Sequence, residues 1–288
     1  MSDKEIDDVT GTATTGHEWD GIKELNTPLP RWWLWTFYGC IAFAIGYSVV
    51  YPAWPLISSA TPGVIGYSSR AELDKDLAAA TAAQGDRIAQ IAATPVADIL
   101  DDAELARFAT AGGKSLFKVY CSQCHGTGAS GSAGYPNLND DEWIWGGTIE
   151  QIHTTLTHGV RSEADPDTLF NMMPNFGADE LLSPAEIDAV AKEVASYSGI
   201  EGGTATAEGA QLFADNCAAC HGENAQGMPE LGGPSLTDQI WLYQGTVDGI
   251  KAQLNQARHG VMPAWGVRLG DSAVKQLAVY VHGLGGGQ

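Results

Sequence analysis

Two short stretches decide the fold: Cys121-Ser-Gln-Cys124-His125-Gly126 and Cys217-Ala-Ala-Cys220-His221-Gly222. Cys-x-x-Cys-His is the pattern through which haem c is attached to a protein. Cysteines at i and i+3 lie on one face of a helical turn, so both sulfurs reach the vinyl groups along one haem edge. The histidine that follows is placed as the proximal iron ligand. The sequence therefore predicts two haem c groups, held covalently by Cys121, Cys124, Cys217 and Cys220, with His125 and His221 on the iron.

Other chemistry uses the same cysteine spacing. A redox dithiol and half of a zinc site are the competing interpretations. Haem is favoured because both copies continue with His-Gly and no further Cys or His pair stands at zinc spacing. The fifth cysteine, Cys40, is interpreted as a small apolar residue of a membrane helix.

The sequence around the motifs repeats. Matching glycine, leucine and phenylalanine positions precede each motif, and matching Pro-x-Leu, Trp, Gly-Thr and Met-Pro positions follow it. Each half ends in a segment with helical periodicity. The matched pairs include Gly113 with Gly209, Phe117 with Phe213, Pro136 with Pro234, Trp143 with Trp241, and Met173 with Met262. The chain therefore contains two similar units in tandem, joined by a linker near residues 199–206.

Met173 and Met262 are the predicted distal iron ligands. A thioether is a soft ligand, and His/Met ligation raises the potential of a haem. The proline after each methionine restricts it to extended backbone and stiffens the loop. Three alternatives stay open: the methionines fill core space, Met172 replaces Met173, or His158 and His259 bind the iron instead.

An apolar segment precedes both units. Residues 32–51 contain no charged side chain. As a helix, this uncharged segment is long enough to span a bilayer. Aromatic residues crowd both ends, as in an interfacial belt. A cleaved signal peptide is the alternative, but it fits badly because the preceding segment of 31 residues is too long and too acidic for one. Lys23 and Arg31 lie just before the segment and the next basic residue is Arg70, which favours a cytoplasmic N-terminus.

The net charge is acidic. The chain has 35 Asp and Glu against 15 Lys and Arg, so its formal net charge is −20. Such a surface repels nucleic acid and attracts basic partners. The first repeat, 108–200, carries 12 acidic and 4 basic residues, whereas the second carries 8 and 4. Asp140, Asp141 and Glu142 are the predicted landing site for a basic partner, although a solvated loop would show the same run.

The order of motifs in residues 108–288 resembles the small mono-haem cytochrome c domain. That resemblance implies an all-α fold in which the N-terminal helix of each unit crosses its C-terminal helix and the haem lies in a crevice. It also implies that the carbonyls of Pro136 and Pro234 accept a hydrogen bond from the proximal imidazoles. Trp143, Trp145, Trp241 and Trp265 are expected to wall the pockets or to pack the core.

A second resemblance covers nearly the whole chain. His17-Glu-Trp-Asp-Gly-Ile-Lys-Glu-Leu-Asn26, residues 28–35 and 51–55, Gly134-Tyr-Pro-Asn-Leu138 and Trp143-Ile-Trp-Gly-Gly147 are similar to the di-haem subunit III (FixP/CcoP) of cbb3-type cytochrome c oxidase. The resemblance implies that electrons arrive from a donor cytochrome c. They then pass to a mono-haem cytochrome c subunit, which feeds the haem–copper catalytic subunit that reduces oxygen to water.

The predicted organisation has five parts. Residues 1–31 are a cytoplasmic segment, 32–54 a single transmembrane anchor in the bacterial inner membrane, and 55–107 a helical periplasmic linker. Residues 108–200 and 201–288 are two tandem periplasmic cytochrome c domains. No catalytic residue is predicted, which favours an electron-transfer subunit. A free-standing di-haem cytochrome, a di-haem peroxidase and a haem gas sensor are the alternatives.

Overall fold

A computed structural model describes residues 5–287. The chain divides after Ala82 into two compact units. Helices dominate both, as predicted. The first unit also contains an antiparallel hairpin, β1 (Thr14–Trp19) and β2 (Ile22–Leu25), which the all-α prediction omitted. Its turn is Asp20-Gly21, and both residues have positive φ, 50° and 84°. An Asp-Gly pair is a common sequence signal for this turn, so the hairpin was recognisable.

The apolar segment forms helix α1 (Arg31–Val50). None of its side chains is buried, and among residues 5–287 it is the one helix long and apolar enough to cross a membrane. It therefore fits a membrane anchor. The helix ends four residues before the predicted limit at Trp54. Pro52 explains the difference, because the residue before a proline is driven to extended backbone and Tyr51 has φ −106° and ψ 162°.

Helix α2 (Ser69–Ala93) follows the anchor and lies within the predicted helical linker 55–107. Its N-terminus is capped by Ser68, whose Oγ accepts a hydrogen bond from the Ala71 amide. At its C-terminus, the buried Lys275 donates from Nζ to the carbonyl of Ala92 at 2.9 Å. A cation at this position offsets the negative end of the helix dipole. Lys275 therefore fixes the end of α2 to the core of the second unit.

The second unit contains the two repeats. Asp102 caps its first helix, and the pairs Thr148/Gln151 and Ser183/Glu186 form capping boxes at two others. The helices are α3 (Ala103–Tyr120), α4 (Ser122–His125), α5 (Ile149–His158), α6 (Pro184–Tyr197), α7 (Ala207–Asn216), α8 (Ala218–His221), α9 (Val247–Asn255), α10 (Trp265–Leu269) and α11 (Asp271–His282). The predicted linker lies between α6 and α7, where the Thr206 amide donates to the buried Glu193.

The repeats exchange their C-terminal helices. Helix α3 packs on α11 from the second repeat, and α6 from the first repeat packs on α7. The expectation that each N-terminal helix crosses the C-terminal helix of its own repeat is therefore wrong. The matched glycines mark both crossings. A Cβ on Gly113 would meet the Gln276 carbonyl of α11 at 2.0 Å, and one on Gly209 would meet the Ala189 carbonyl of α6 at 2.9 Å.

Two hydrophobic clusters result from the exchange. The first joins Phe117 of α3 to Leu277 of α11 and contains Cys121. The second joins Val190 of α6 to Phe213 of α7 and contains Cys217. Each cluster therefore combines residues from both sequence repeats. The limits 108–200 and 201–288 describe the repeats in the sequence; the packed cores combine parts of both.

Candidate haem sites

Each Cys-x-x-Cys-His motif forms one helical turn. In the first, the His125 amide bonds to the Cys121 carbonyl at 2.9 Å; in the second, the His221 amide bonds to the Cys217 carbonyl at 3.0 Å. The turn brings both cysteines of a motif and its histidine together, as the spacing predicts. No disulfide joins the four cysteines of the two motifs.

The first cysteine of each motif is buried, and its thiol pKa differs from that of a redox dithiol. Burial raises the pKa of Cys121 and of Cys217 to about 11 in each case. A reactive dithiol or a metal-binding thiolate needs a lowered pKa. The burial of Cys121 and Cys217 therefore argues against the redox-dithiol and zinc interpretations.

The proximal imidazoles are held as the cytochrome c resemblance implies. Nδ1 of His125 lies 2.9 Å from the Pro136 carbonyl oxygen, and Nδ1 of His221 lies 2.9 Å from that of Pro234. Nε2 is thus the nitrogen left for a metal, and such a contact orients the ring and increases its basicity. Burial lowers the pKa of both histidines. Both rings are therefore neutral near pH 7, which is the form that binds iron.

Met173 lies beside the motif of the other repeat. Its loop rests on the end of α9, where the Gly177 amide donates to the Leu254 carbonyl at 3.2 Å. Its side chain packs against the cluster that contains Cys217 and lines the same cavity as His221. Met172 also lines this cavity but is 52% exposed. The packing therefore favours Met173 over Met172.

Met262, from the second repeat, lies beside the motif of the first repeat. Its backbone forms an antiparallel bridge with Val160 of the first repeat, through bonds of 3.0 and 2.9 Å. Its side chain packs against the cluster that contains Cys121. The structure therefore associates Met262 with the His125 site and Met173 with the His221 site. The repeat alignment singled out both methionines as candidate ligands, but contiguous domains would have paired each with the motif of its own repeat.

The two alternative histidine ligands have other partners. His158 Nδ1 lies 3.0 Å from an Asp165 carboxylate oxygen. His259 accepts a hydrogen bond at Nε2 from the Met173 amide, at 2.9 Å. The second contact fixes the Met173 loop. His259 therefore acts on the site through the backbone of Met173.

An apolar cavity adjoins Cys217, Cys220 and His221. Its walls include Met173 and Trp241 together with Phe176, Val194, Leu236, Ile250 and Leu254. The indole Nε1 of Trp241 is buried without a hydrogen-bond partner. A haem fits this site, because its ring suits the apolar walls and its propionates are acceptors of the kind that an orphan N–H requires.

The four tryptophans divide between pocket and core. Trp241 lines the cavity beside His221, whereas Trp143 and Trp265 pack in the cluster around Cys121. Trp143 Nε1 also donates to the Gly286 carbonyl. The ring of Trp145 lies against Gly232, which lines the same cavity beside His221. Both expected roles, pocket wall and core packing, are therefore represented.

The three acidic residues 140–142 differ in their exposure to solvent. Asp141 is exposed, whereas Asp140 and Glu142 are partly buried. Glu142 accepts a hydrogen bond from the Ser235 amide at 3.1 Å. Burial, with additional repulsion from Asp238 and Asp140, raises the pKa of Glu142 to about 7. Glu142 is therefore not part of a freely solvated charge patch.

A helical fold built around two attachment motifs with neutral imidazoles, one of them beside an apolar cavity, defines a c-type cytochrome. Residues 108–192 and 204–281 match the family "Cytochrome C oxidase, cbb3-type, subunit III". Residues 11–58 match the N-terminal domain of cytochrome oxidase-cbb3, FixP. The chain therefore belongs to the FixP/CcoP family of cbb3-type oxidase subunits and binds haem c.

Relatives match the whole chain. The FixP subunit of Bradyrhizobium sp. (strain ORS 278) is 54% identical, over 99% of this chain and 98% of its own length. That of Sinorhizobium medicae is 52% identical over the same shares. The CcoP subunit of Cereibacter sphaeroides is 51% identical over 96% of this chain and 95% of its own.

Proposed function

We propose that this subunit carries two haem c groups and passes electrons from a donor cytochrome c towards the oxygen-reducing centre of its oxidase. The duplicated site carries the proposal, because each repeat supplies an attachment motif and a proximal imidazole held by a proline carbonyl. The immediate acceptor is a mono-haem cytochrome c subunit, and the final acceptor is the haem–copper catalytic subunit. The family of the chain supports these partners.

The ligand sets are crossed in this proposal. Cys121, Cys124 and His125 act with Met262, whereas Cys217, Cys220 and His221 act with Met173. When bound, the iron supplies one-electron redox chemistry. The chain contributes apolar walls that exclude water, and proline carbonyls that orient the imidazoles. A thioether on the distal side raises the reduction potential.

The membrane arrangement is also proposed. Helix α1 crosses the inner membrane once, and Lys23 and Arg31 keep its N-terminal side in the cytoplasm. The second unit, which contains both haem sites, is then periplasmic. The fit of α1 to a membrane span and the FixP-type N-terminal domain support this arrangement.

Haem counting and mild purification test the proposal together. The tagged subunit, solubilised in gentle detergent, should carry two haem c per chain by pyridine haemochrome assay, with haem b and copper proteins recovered alongside it. Cys220→Ala should leave one haem, whereas Cys40→Ala should leave two, because Cys40 is exposed on α1 outside both motifs. One haem in the unaltered chain would reject the two-haem assignment. Recovery without haem b or copper would favour a free-standing carrier.

A further inference from the structure

One peptide group near the second haem site is bonded on both sides. Its carbonyl, from Pro234, accepts from His221 Nδ1 at 2.9 Å, and its N–H, from Ser235, donates to Glu142 Oε1 at 3.1 Å. The two atoms belong to the same conjugated peptide group. A continuous relay therefore runs from the imidazole through the peptide to the carboxylate. Hydrogen bonds in such a chain polarise one another.

The charges that face Glu142 are acidic. Asp140 comes from its own loop and Asp238 from the second repeat, and the charge of each opposes ionisation of Glu142. The Ser235 N–H favours the ionised carboxylate, but burial and these two acids oppose it and leave the pKa of Glu142 about 7. Glu142 is therefore partly ionised at neutral pH, and a carboxyl group in this range exchanges protons with solvent under ordinary conditions.

The first haem site does not share this arrangement. Its corresponding peptide joins Pro136 to Asn137, and the carbonyl again accepts from an imidazole. The repeat alignment that matches Trp143 with Trp241 places Ile240 opposite Glu142. A hydrocarbon side chain has no acceptor for the Asn137 N–H. The first site is thus an internal control for the second.

We propose that Glu142 is a positioning residue that makes the reduction potential of the second haem site depend on pH. An ionised Glu142 draws on the Ser235 N–H and makes the Pro234 carbonyl a stronger acceptor. His221 then becomes a more basic ligand, which favours the ferric state and lowers the potential. Protonation of Glu142 weakens these hydrogen bonds and raises the reduction potential. The inference rests on the proposed haem attachment at Cys217 and Cys220.

The electron and proton balance follows from linkage. The external reductant supplies one electron to the iron, and Glu142 takes up as much as one proton from solvent, because its pKa is higher when the site is reduced. Between the two pKa values of Glu142 the potential falls as pH rises. The limiting slope is a tenfold change in the reduction equilibrium per pH unit, or about 59 mV for one electron.

Spectroelectrochemical titration of the full-length subunit at pH values on both sides of neutrality tests the proposal. One of the two potentials should fall with rising pH, and Glu142→Gln should remove that dependence and hold the potential near its acidic value. Asp141→Asn is the matched control, since Asp141 is an exposed neighbour of the same charge, and it should preserve the slope. Asp238→Asn should move the transition to lower pH by removing a charge that raises the pKa of Glu142.

The outcomes separate this proposal from the broader one. A haemochrome assay giving fewer than two haems per chain would reject the attachment on which it depends. Two haems with potentials that do not vary with pH would overturn the Glu142 relay alone. A slope that persists unchanged in Glu142→Gln would also overturn it.

Discussion

The exchange of helices predicts that damage to α11 weakens the first haem site and spares the second. Leu277 lies in α11 with no exposed surface, inside the cluster that contains Phe117 and Cys121. Leu277→Ala removes three carbons, which forfeits about 2.4 kcal/mol of transfer free energy at ~0.8 kcal/mol per CH₂. The cavity left behind brings the expected loss to about 3–4 kcal/mol. This loss falls on the α3–α11 core, which also holds Met262.

Denaturant titration of the oxidised protein measures the effect. The thioether-to-iron charge-transfer band reports each methionine ligand, and Met262→Leu identifies the contribution of the first site. Leu277→Ala should lower the denaturant midpoint of that contribution and leave the other near its original midpoint. Val190→Ala is the matched control, because Val190 is equally buried in α6, within the second cluster. It should lower the other midpoint. If Leu277→Ala weakens the band that depends on Met173, the crossed assignment is wrong.

Three further predictions concern the ligand loop, the anchor and the docking surface. Met173→Leu should abolish one thioether-to-iron charge-transfer band and lower the reduction potential of the His221 site. Met172→Leu should leave both bands. Absorption spectra of the oxidised variants decide between the two methionines. N-terminal sequencing of the mature protein should find a start before Trp32, and a start after Tyr51 would show a cleaved signal peptide. Reduction by a basic cytochrome c should slow steeply as the salt concentration rises, because exposed charges are screened within about 8 Å at physiological ionic strength. Stopped-flow rates that do not vary with salt would reject electrostatic steering. A salt-dependent rate that is unchanged in Asp141→Asn would place the landing site elsewhere.

Local patterns predicted most of the helices and supplied the candidate site residues. The motif spacing predicted both helical turns, the repeat alignment singled out Met173 and Met262 as candidate ligands, and the cytochrome c resemblance predicted the contacts with the proline carbonyls. Helix α2 lies within the helical linker predicted for residues 55–107. These features are encoded within a few residues of one another, so a single sequence suffices to find them.

The pairing of distant segments was not recoverable in the same way. The two repeats carry nearly the same apolar pattern, so α3 has no local feature that distinguishes α6 from α11 as its partner. Gly113 signals a close helix crossing without specifying the other helix. The bond from Ser235 to Glu142 was missed for the same reason, because it joins loops of different repeats and the acidic run alone suggested a solvated surface.

The crossing of α3 with α11 also constrains how the chain folds. Helix α3 ends at Tyr120 and α11 begins at Asp271, so 150 residues lie between them. The first core therefore closes only after a long loop has been ordered, and such non-local contacts slow folding. During synthesis, Cys121 and Cys124 leave the ribosome well before the helix that covers their side of the core exists. The second core has the opposite kinetic character, since α6 and α7 are neighbours in the chain. Assembly should therefore be ordered, with the core around Cys217 forming early and the core around Cys121 remaining open to its cofactor until the last helix is made.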